Sequence, residues 1–148
     1  MIERFEKFSL AISEISHYWH SIATEELQPY GLKSSHAIYL TTMYRYPDGL
    51  TAPMLADLCA RDKADVSRMM SIMEKKGLII KEGNGPKMYR GILKLTDEGR
   101  VLAGKINQRA ELAVQQASQG LSDEKRLIFY DALDTITANL QRIAKEGL

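Results

Sequence analysis

The sequence predicts a mainly α-helical protein with one small β-element, an α+β arrangement in which a helix-turn-helix is followed by a two-stranded wing and framed by long N- and C-terminal helices. Three observations predict it. Residues 61–77 carry Val66, Met69, Met70 and Met73 at i, i+3, i+4 and i+7, which as a helix hides one stripe and shows the opposite one. Leu78-Ile79-Ile80-Lys81-Glu82 and Gly91-Ile92-Leu93-Lys94-Leu95 are β-rich and are separated by the turn residues Gly83-Asn84-Gly85-Pro86-Lys87. Both ends of the chain place apolar residues in alternating steps of three and four, a seam that wants a partner helix.

A chain of 148 residues that is 45% hydrophobic can bury one good core and is short for two independent domains, so residues 1–148 are expected to be a single domain. The net charge of +1 excludes a generally basic nucleic-acid coat. The charge is unevenly spread, however. Residues 61–90 hold eight bases against four acids, a local +4 that leaves the remainder acidic. The single cysteine, Cys59, excludes an intrachain disulfide and a cysteine-based zinc cluster. No basic start precedes an apolar run, and no apolar stretch is long enough to span a bilayer, so a cytoplasmic location without membrane attachment is expected. There is no internal repeat and no low-complexity segment.

The first helix is expected from Ile2 to Gln28, with Pro29 and Gly31 stopping it, and its Phe5, Phe8, Ile12, Ile15, Trp19 and Ile22 form the first seam. A second helix begins near Ser34 or Ser35, carries Ile38, Leu40 and Tyr44, and ends before the turn Pro47-Asp48-Gly49. Leu50-Thr51 is a candidate short strand. Thr51 then caps a third helix, with Pro53 tolerated in its first turn and Met54, Leu55, Leu58 and Cys59 as its buried face. Ala60-Arg61-Asp62 is only a tight connection, so the third helix and the next form a helix-turn-helix.

That next helix has both ends written into it. Asp62 stands at the N-cap with Asp65 three residues on, an aspartate version of the capping box, and Gly77 stands where a left-handed C-cap is wanted. Its outer face carries Lys63, Ala64, Ser67, Arg68, Ser71 and Lys75. Most charged helix faces are simply wet, and taken alone this one would be read so. Three cations mixed with hydroxyl and methyl groups, inside the one basic patch of the chain and followed by a wing, instead suit a surface laid against phosphates and base edges. Thr96-Asp97-Glu98 opens a fifth helix running to about Gln119, whose Leu102, Ile106, Ala110, Ala113 and Ala117 allow close packing. Ser122-Asp123-Glu124 opens a sixth, with Phe129, Leu133, Ile136, Leu140 and Ile143 as the second seam.

Asp62-Lys63-Ala64-Asp65-Val66-Ser67-Arg68, then Glu74-Lys75-Lys76-Gly77-Leu78-Ile79, then Leu95-Thr96-Asp97-Glu98-Gly99, in that order, resemble the MarR family of bacterial winged helix-turn-helix regulators. The resemblance covers nearly the whole chain. It implies a winged helix-turn-helix lobe over residues 33–96, dimerisation helices over 1–30 and 97–148, and a homodimer that sets two recognition helices and two wings on a pseudo-palindromic double-stranded DNA operator. It also implies a ligand-responsive repressor, with a pocket for a small-molecule effector between the dimerisation helices and the DNA-binding lobe. DNA contacts are assigned to Lys63, Ala64, Ser67, Arg68, Ser71 and Lys75, with Lys87 and Arg90 in the wing.

The chain departs from the family pattern in two places. Counted back from Leu95-Thr96, the family's wing Asp-x-Arg falls on Lys87-Met88-Tyr89, so Lys87 or Arg90 must supply the wing's cation while Tyr89 packs on the wing's own strands. Lys33 stands where the family often has a capping threonine. These departures keep a second class open, a winged-helix protein-interaction adaptor that does not read DNA. Enzymes find no support, since no phosphate-binding glycine motif, zincin motif or nucleophile elbow occurs. His17, Tyr18, His20, His36, Tyr39 and Met43 are the candidates for a ligand pocket. The three histidines have no acidic or cysteine ligand spaced with them, so neither a metal nor a cofactor is expected. Cys59 sits on a buried-looking stripe and is read as inert core rather than a redox sensor.

Overall fold

The computed structural model describes residues 2–83 and 91–148, the Ile2 side chain excepted, and the wing residues Lys87, Tyr89 and Arg90 lie outside the described residues. Among the described residues the elements run α1 (Ile2–Ser21), α2 (Thr24–Leu27), short 3-10 turns at Gln28–Tyr30 and Ser34–His36, then α3 (Ala37–Tyr44), β1 (Leu50–Thr51), α4 (Ala52–Cys59) and α5 (Lys63–Lys75). They continue with β2 (Ile79–Glu82), β3 (Ile92–Leu95), α6 (Asp97–Ala117) and α7 (Asp123–Glu146). The fold is mainly helical with a small antiparallel sheet of order β1-β3-β2, a winged helix-turn-helix.

The sheet forms because β3 has a partner on each side. Leu50 pairs with Leu93 and Thr51 with Ile92 on one edge, while Ile79 pairs with Leu95 and Lys81 with Leu93 on the other. β1 is therefore a third strand that ties the helix-turn-helix to the wing. Alternation along β3 turns Leu93 into the core, where Leu50 and Ile79 are also buried.

The chain divides into two compact units, Met1–Glu111 and Leu112–Leu148. The first holds the core: Leu27 and Leu32 before α3, Tyr39, Leu40 and Met43 on α3, Leu55, Ala56 and Cys59 on α4, the four apolar residues of α5, and Leu102, Ala103 and Ile106 on α6. In the second, α7 starts at Ser122, whose hydroxyl accepts from the Lys125 amide at 3.2 Å, and none of its residues is buried.

Two sequence expectations need correction. The first helix does not run unbroken to Gln28. It ends at Ser21 and the chain turns at Ile22-Ala23, with Ala23 buried in the core. The Ile22 carbonyl, which a continuous helix would have used, accepts instead from Nε of Arg109 at 2.9 Å, and the same guanidinium holds Glu25 at 2.9 Å. The face of α4 is also narrower than expected, since Leu55 and Cys59 are buried while Met54 and Leu58 stay largely exposed and Ala56 takes a core position.

The turn of the helix-turn-helix rests on Ala60, which caps α4 in the left-handed region at φ +52 with its amide on the Ala56 and Asp57 carbonyls. An alanine there costs about 1–2 kcal/mol relative to glycine, and Ala60 is exposed, so its methyl packs on little. Ala60→Gly is expected to raise stability by roughly 0.5–1 kcal/mol after its greater unfolded-state entropy is offset. Urea denaturation with an unchanged m-value and a higher midpoint is the expected record.

Candidate nucleic-acid interface

The outward face of α5 is set by what the helix buries. Val66, Met69, Met70 and Met73 are at most 5% exposed, which rotates Lys63, Ala64, Ser67, Arg68 and Lys75 to solvent with Ser71 at the margin. Asp62 caps the start by accepting from the Asp65 amide at 2.6 Å. At the end, Gly77 adopts φ +74, its amide reaches the Glu74 carbonyl and the Leu78 amide reaches Met73, which closes the helix and launches β2 in the next residue. The six residues that the sequence marks on this helix thus share one surface.

Asp65 does not complete a capping box. Its carboxylate turns away from the Asp62 amide: Oδ2 accepts the Tyr39 hydroxyl and Oδ1 faces the Arg68 guanidinium at 3.5 Å. The Tyr39 hydrogen bond, and then the Arg68 charge, hold the carboxyl below the usual aspartate range. Tyr39 is pushed the other way by burial and by that same carboxylate. A carboxyl whose folded value is depressed contributes stability above its ordinary value near pH 4 and loses it as pH falls through the depressed one. Tyr39→Phe is therefore expected to flatten the stability profile below about pH 4, read by denaturant midpoints across that range, with little change in its slope near neutrality.

A hollow of about 450 Å³ lies beside α5, bounded by Lys63 and Ser67 of that helix, Pro53 of α4, and Lys81 and Leu93 of the sheet. Lys81 lines this hollow beside Lys63, a placement that sequence reasoning misses. It belongs to a strand whose register is invisible without the partner strand, and it faces Glu74 at 3.9 Å.

A second cavity of about 430 Å³ has walls of Trp19, Ile22, Ile38 and Ile106, with His20, Ser34, Ser35, Thr41, Arg61 and Asn107 as its polar groups. Of the six ligand-pocket candidates it takes only His20, whose Nδ1 lies 2.5 Å from the Ser16 carbonyl in the turn before. Tyr39 and Met43 are core residues at 1% exposure, and His17 and Tyr18 stack edge to face on the outside of α1. His36 acts locally. Its Nδ1 accepts from the Lys33 amide at 3.0 Å while its own amide reaches the Lys33 carbonyl, so it supplies the cap that Lys33 cannot. Burial chiefly, with Lys33 and Arg61 nearby, lowers its pKa and keeps that nitrogen free to accept, although Asp65 pulls the other way. Arg61, which the sequence marks as part of the basic patch and of the tight connection but not as a pocket residue, is the cavity's cation and directly precedes the α5 cap.

Among the described residues no three His, Cys, Asp or Glu side chains gather as a metal site, and no helix is long and apolar enough to cross a membrane. Cys59 is buried with its thiol directed to the Thr42 hydroxyl at 3.5 Å, and burial raises its pKa, which disfavours the reactive thiolate.

No protein-family model matches the chain. Solved structures match its fold closely. A Listeria monocytogenes protein described as a MarR-family transcriptional regulator, in complex with a 26mer DNA, superposes with a TM-score of 0.79 at 26% identity over 93% of each chain. A SlyA-like transcription regulator from the same organism matches to the same extent. The S. aureus MepR–DNA complex gives a TM-score of 0.78 at 22% identity, covering 89% of this chain and 97% of that one.

Proposed function

We propose, from the premise that this chain belongs to the MarR family of winged helix-turn-helix proteins, that it is a sequence-specific DNA-binding transcriptional regulator acting as a homodimer. The observation that carries the reading is the outer face of α5, where Lys63, Arg68 and Lys75 surround Ala64 and Ser67 on a helix capped at both ends. In this reading Arg68 and Ser67 meet base edges in the major groove, Ala64 lies against a thymine methyl, and Lys63 and Lys75 meet phosphates, with Ser71 at the margin of the same face. Lys81, beside Lys63 in the same hollow, adds a phosphate contact. Lys87 and Arg90 complete the footprint from the wing.

Repression relieved by a small-molecule effector is the regulatory form we infer. The support is the apolar cavity: an occupant that engages Arg61 pulls on the residue next to the Asp62 cap and so on the start of α5. The effector's site is accordingly assigned to Trp19, His20, Ile38, Arg61 and Asn107 rather than to Tyr39 and Met43.

The test is a titration by fluorescence anisotropy of the purified protein on duplexes from around its own gene and on shuffled duplexes, at several salt concentrations. The expected result is a preference for one duplex and a steep fall of affinity with salt. Arg68→Ala is expected to cost about 1 to 3 kcal/mol on the preferred duplex and much less on shuffled DNA. Equal loss on both would reassign Arg68 to a phosphate. Absence of any binding would favour the adaptor reading.

A further inference from the structure

We propose that Tyr39 is a positioning residue for Arg68: the buried α3 tyrosine holds the Asp65 carboxylate, and that carboxylate holds the guanidinium that reaches out from α5. The inference rests on the DNA-reading role proposed for α5. Tyr39 is 1% exposed and 26 residues away from Asp65 in sequence, so the contact is a tertiary tie between α3 and α5 and not a local turn. The two carboxylate oxygens are divided between the two partners, Oδ2 to the Tyr39 hydroxyl and Oδ1 to Nη2 of Arg68. The Asp65 backbone is fixed as well, by the Asp62 cap.

The arrangement has a physical reason. An anion on a face meant for phosphates repels the ligand, and Asp65 serves the cap through its backbone amide alone, which any residue but proline would supply. What its side chain adds is a fixed acceptor for a long, exposed cation, whose side chain is 68% accessible and otherwise free to sample many rotamers. At 3.5 Å the Arg68 contact is long enough to be exchanged for a stronger partner. Tyr39 keeps the acceptor from swinging with the arginine. The relay thus narrows the directions Arg68 explores before it meets a base, which bears on discrimination more than on overall affinity.

The test uses the full chain and, as probe, a duplex that the parent protein selects from a pool of random-sequence duplexes, compared with a shuffled duplex. Tyr39→Phe and Asp65→Asn are expected to melt cooperatively; Tyr39→Phe should bind the shuffled duplex nearly as the parent does, and Asp65→Asn, which removes an anion from the face, somewhat more tightly. Each should lose roughly threefold to thirtyfold in preference for the selected duplex. In an Arg68→Ala background the added Tyr39→Phe should change preference by about twofold or less. Without DNA, the NMR order parameter of the Arg68 Nε–H should fall in both single variants. An unchanged preference and unchanged Arg68 order in Tyr39→Phe would overturn the relay. So would an equal loss with and without Arg68, which would make Tyr39 a packing residue. A parent that selects no sequence, with Arg68 order still falling in Tyr39→Phe, would leave the relay standing and remove the DNA-reading role.

Discussion

Gly99→Ala is expected to destabilise the protein by roughly 2–4 kcal/mol, although it replaces glycine by the best helix former inside a helix. The reason is the backbone on which α6 is seated. Thr96 caps α6 by accepting from the Gly99 amide at 3.1 Å, and its hydroxyl donates to the Gly77 carbonyl at 2.6 Å while its amide donates to the Leu78 carbonyl at 3.0 Å. The first turn of α6 is thereby pressed on the segment that ends α5 and begins β2. A Cβ on Gly99 would lie 2.0 Å from the Leu78 oxygen and 3.3 Å from Leu95 Cδ2. The obstacle is main chain, so relief requires moving α6 off that segment and losing one or two hydrogen bonds, each worth about 1 kcal/mol. The loss should appear as a fall of roughly 10 °C in melting temperature. Gly104, further along the same helix, is the control. There an added methyl would meet the Tyr44 ring at 3.7–3.9 Å, ordinary contact, so Gly104→Ala should stabilise by about 0.5–1 kcal/mol. Equal effects at the two positions would show that the seat of α6 yields.

The parts of this structure that the sequence announces are those whose causes are local. Asp62, Thr51, Thr96 and Ser122 each bond an amide three residues on, so a cap can be read from four residues, and Gly77 can be read from the helix it ends. The buried stripe of α5 is likewise periodic, and all four of its residues lie in the core. What the sequence hides has distant causes. Nothing at Ile22-Ala23 breaks a helix by propensity; the break is held by Arg109, 87 residues further on. Asp65 looks like half of a capping box until α3 offers Tyr39. Tyr39 and Met43 are aromatic and soft enough for a pocket wall, yet α3 turns them into the core and gives Ile38 and Thr41 to the cavity. Arg61 and Lys81 are invisible as site residues in the sequence because each owes its place to a neighbouring element.

Leu140→Glu is expected to abolish tight DNA binding without touching α5, the helix proposed above to face DNA. In this chain α7 is 24 residues long and buries none of them; Phe129, Leu133, Ile136 and Leu140 are 37–50% exposed along its seam. The seam of α1 is as bare, with Phe5 at 70% and Ile15 at 63%. Apolar stripes of this length in water are an association surface, and a helix without tertiary packing is only marginally stable. We take a second copy of the chain as the cover for both seams. By two-fold symmetry each substitution acts twice, so losing one buried leucine from each copy removes about 3–6 kcal/mol, and the charge that replaces it adds a desolvation cost. That corresponds to a dimer weakened by roughly a hundredfold to ten-thousandfold. Light scattering at low micromolar concentration should find a dimer for the parent and a monomer for Leu140→Glu. The variant should keep the core of residues 1–111, since Leu140 lies in the other unit, and a cooperative melt would record that. It should lose affinity for a two-half-site duplex far more than for a single half-site. A parent that scatters as a monomer would leave the seams without their proposed cover, and a dimeric Leu140→Glu would move the interface elsewhere on the surface.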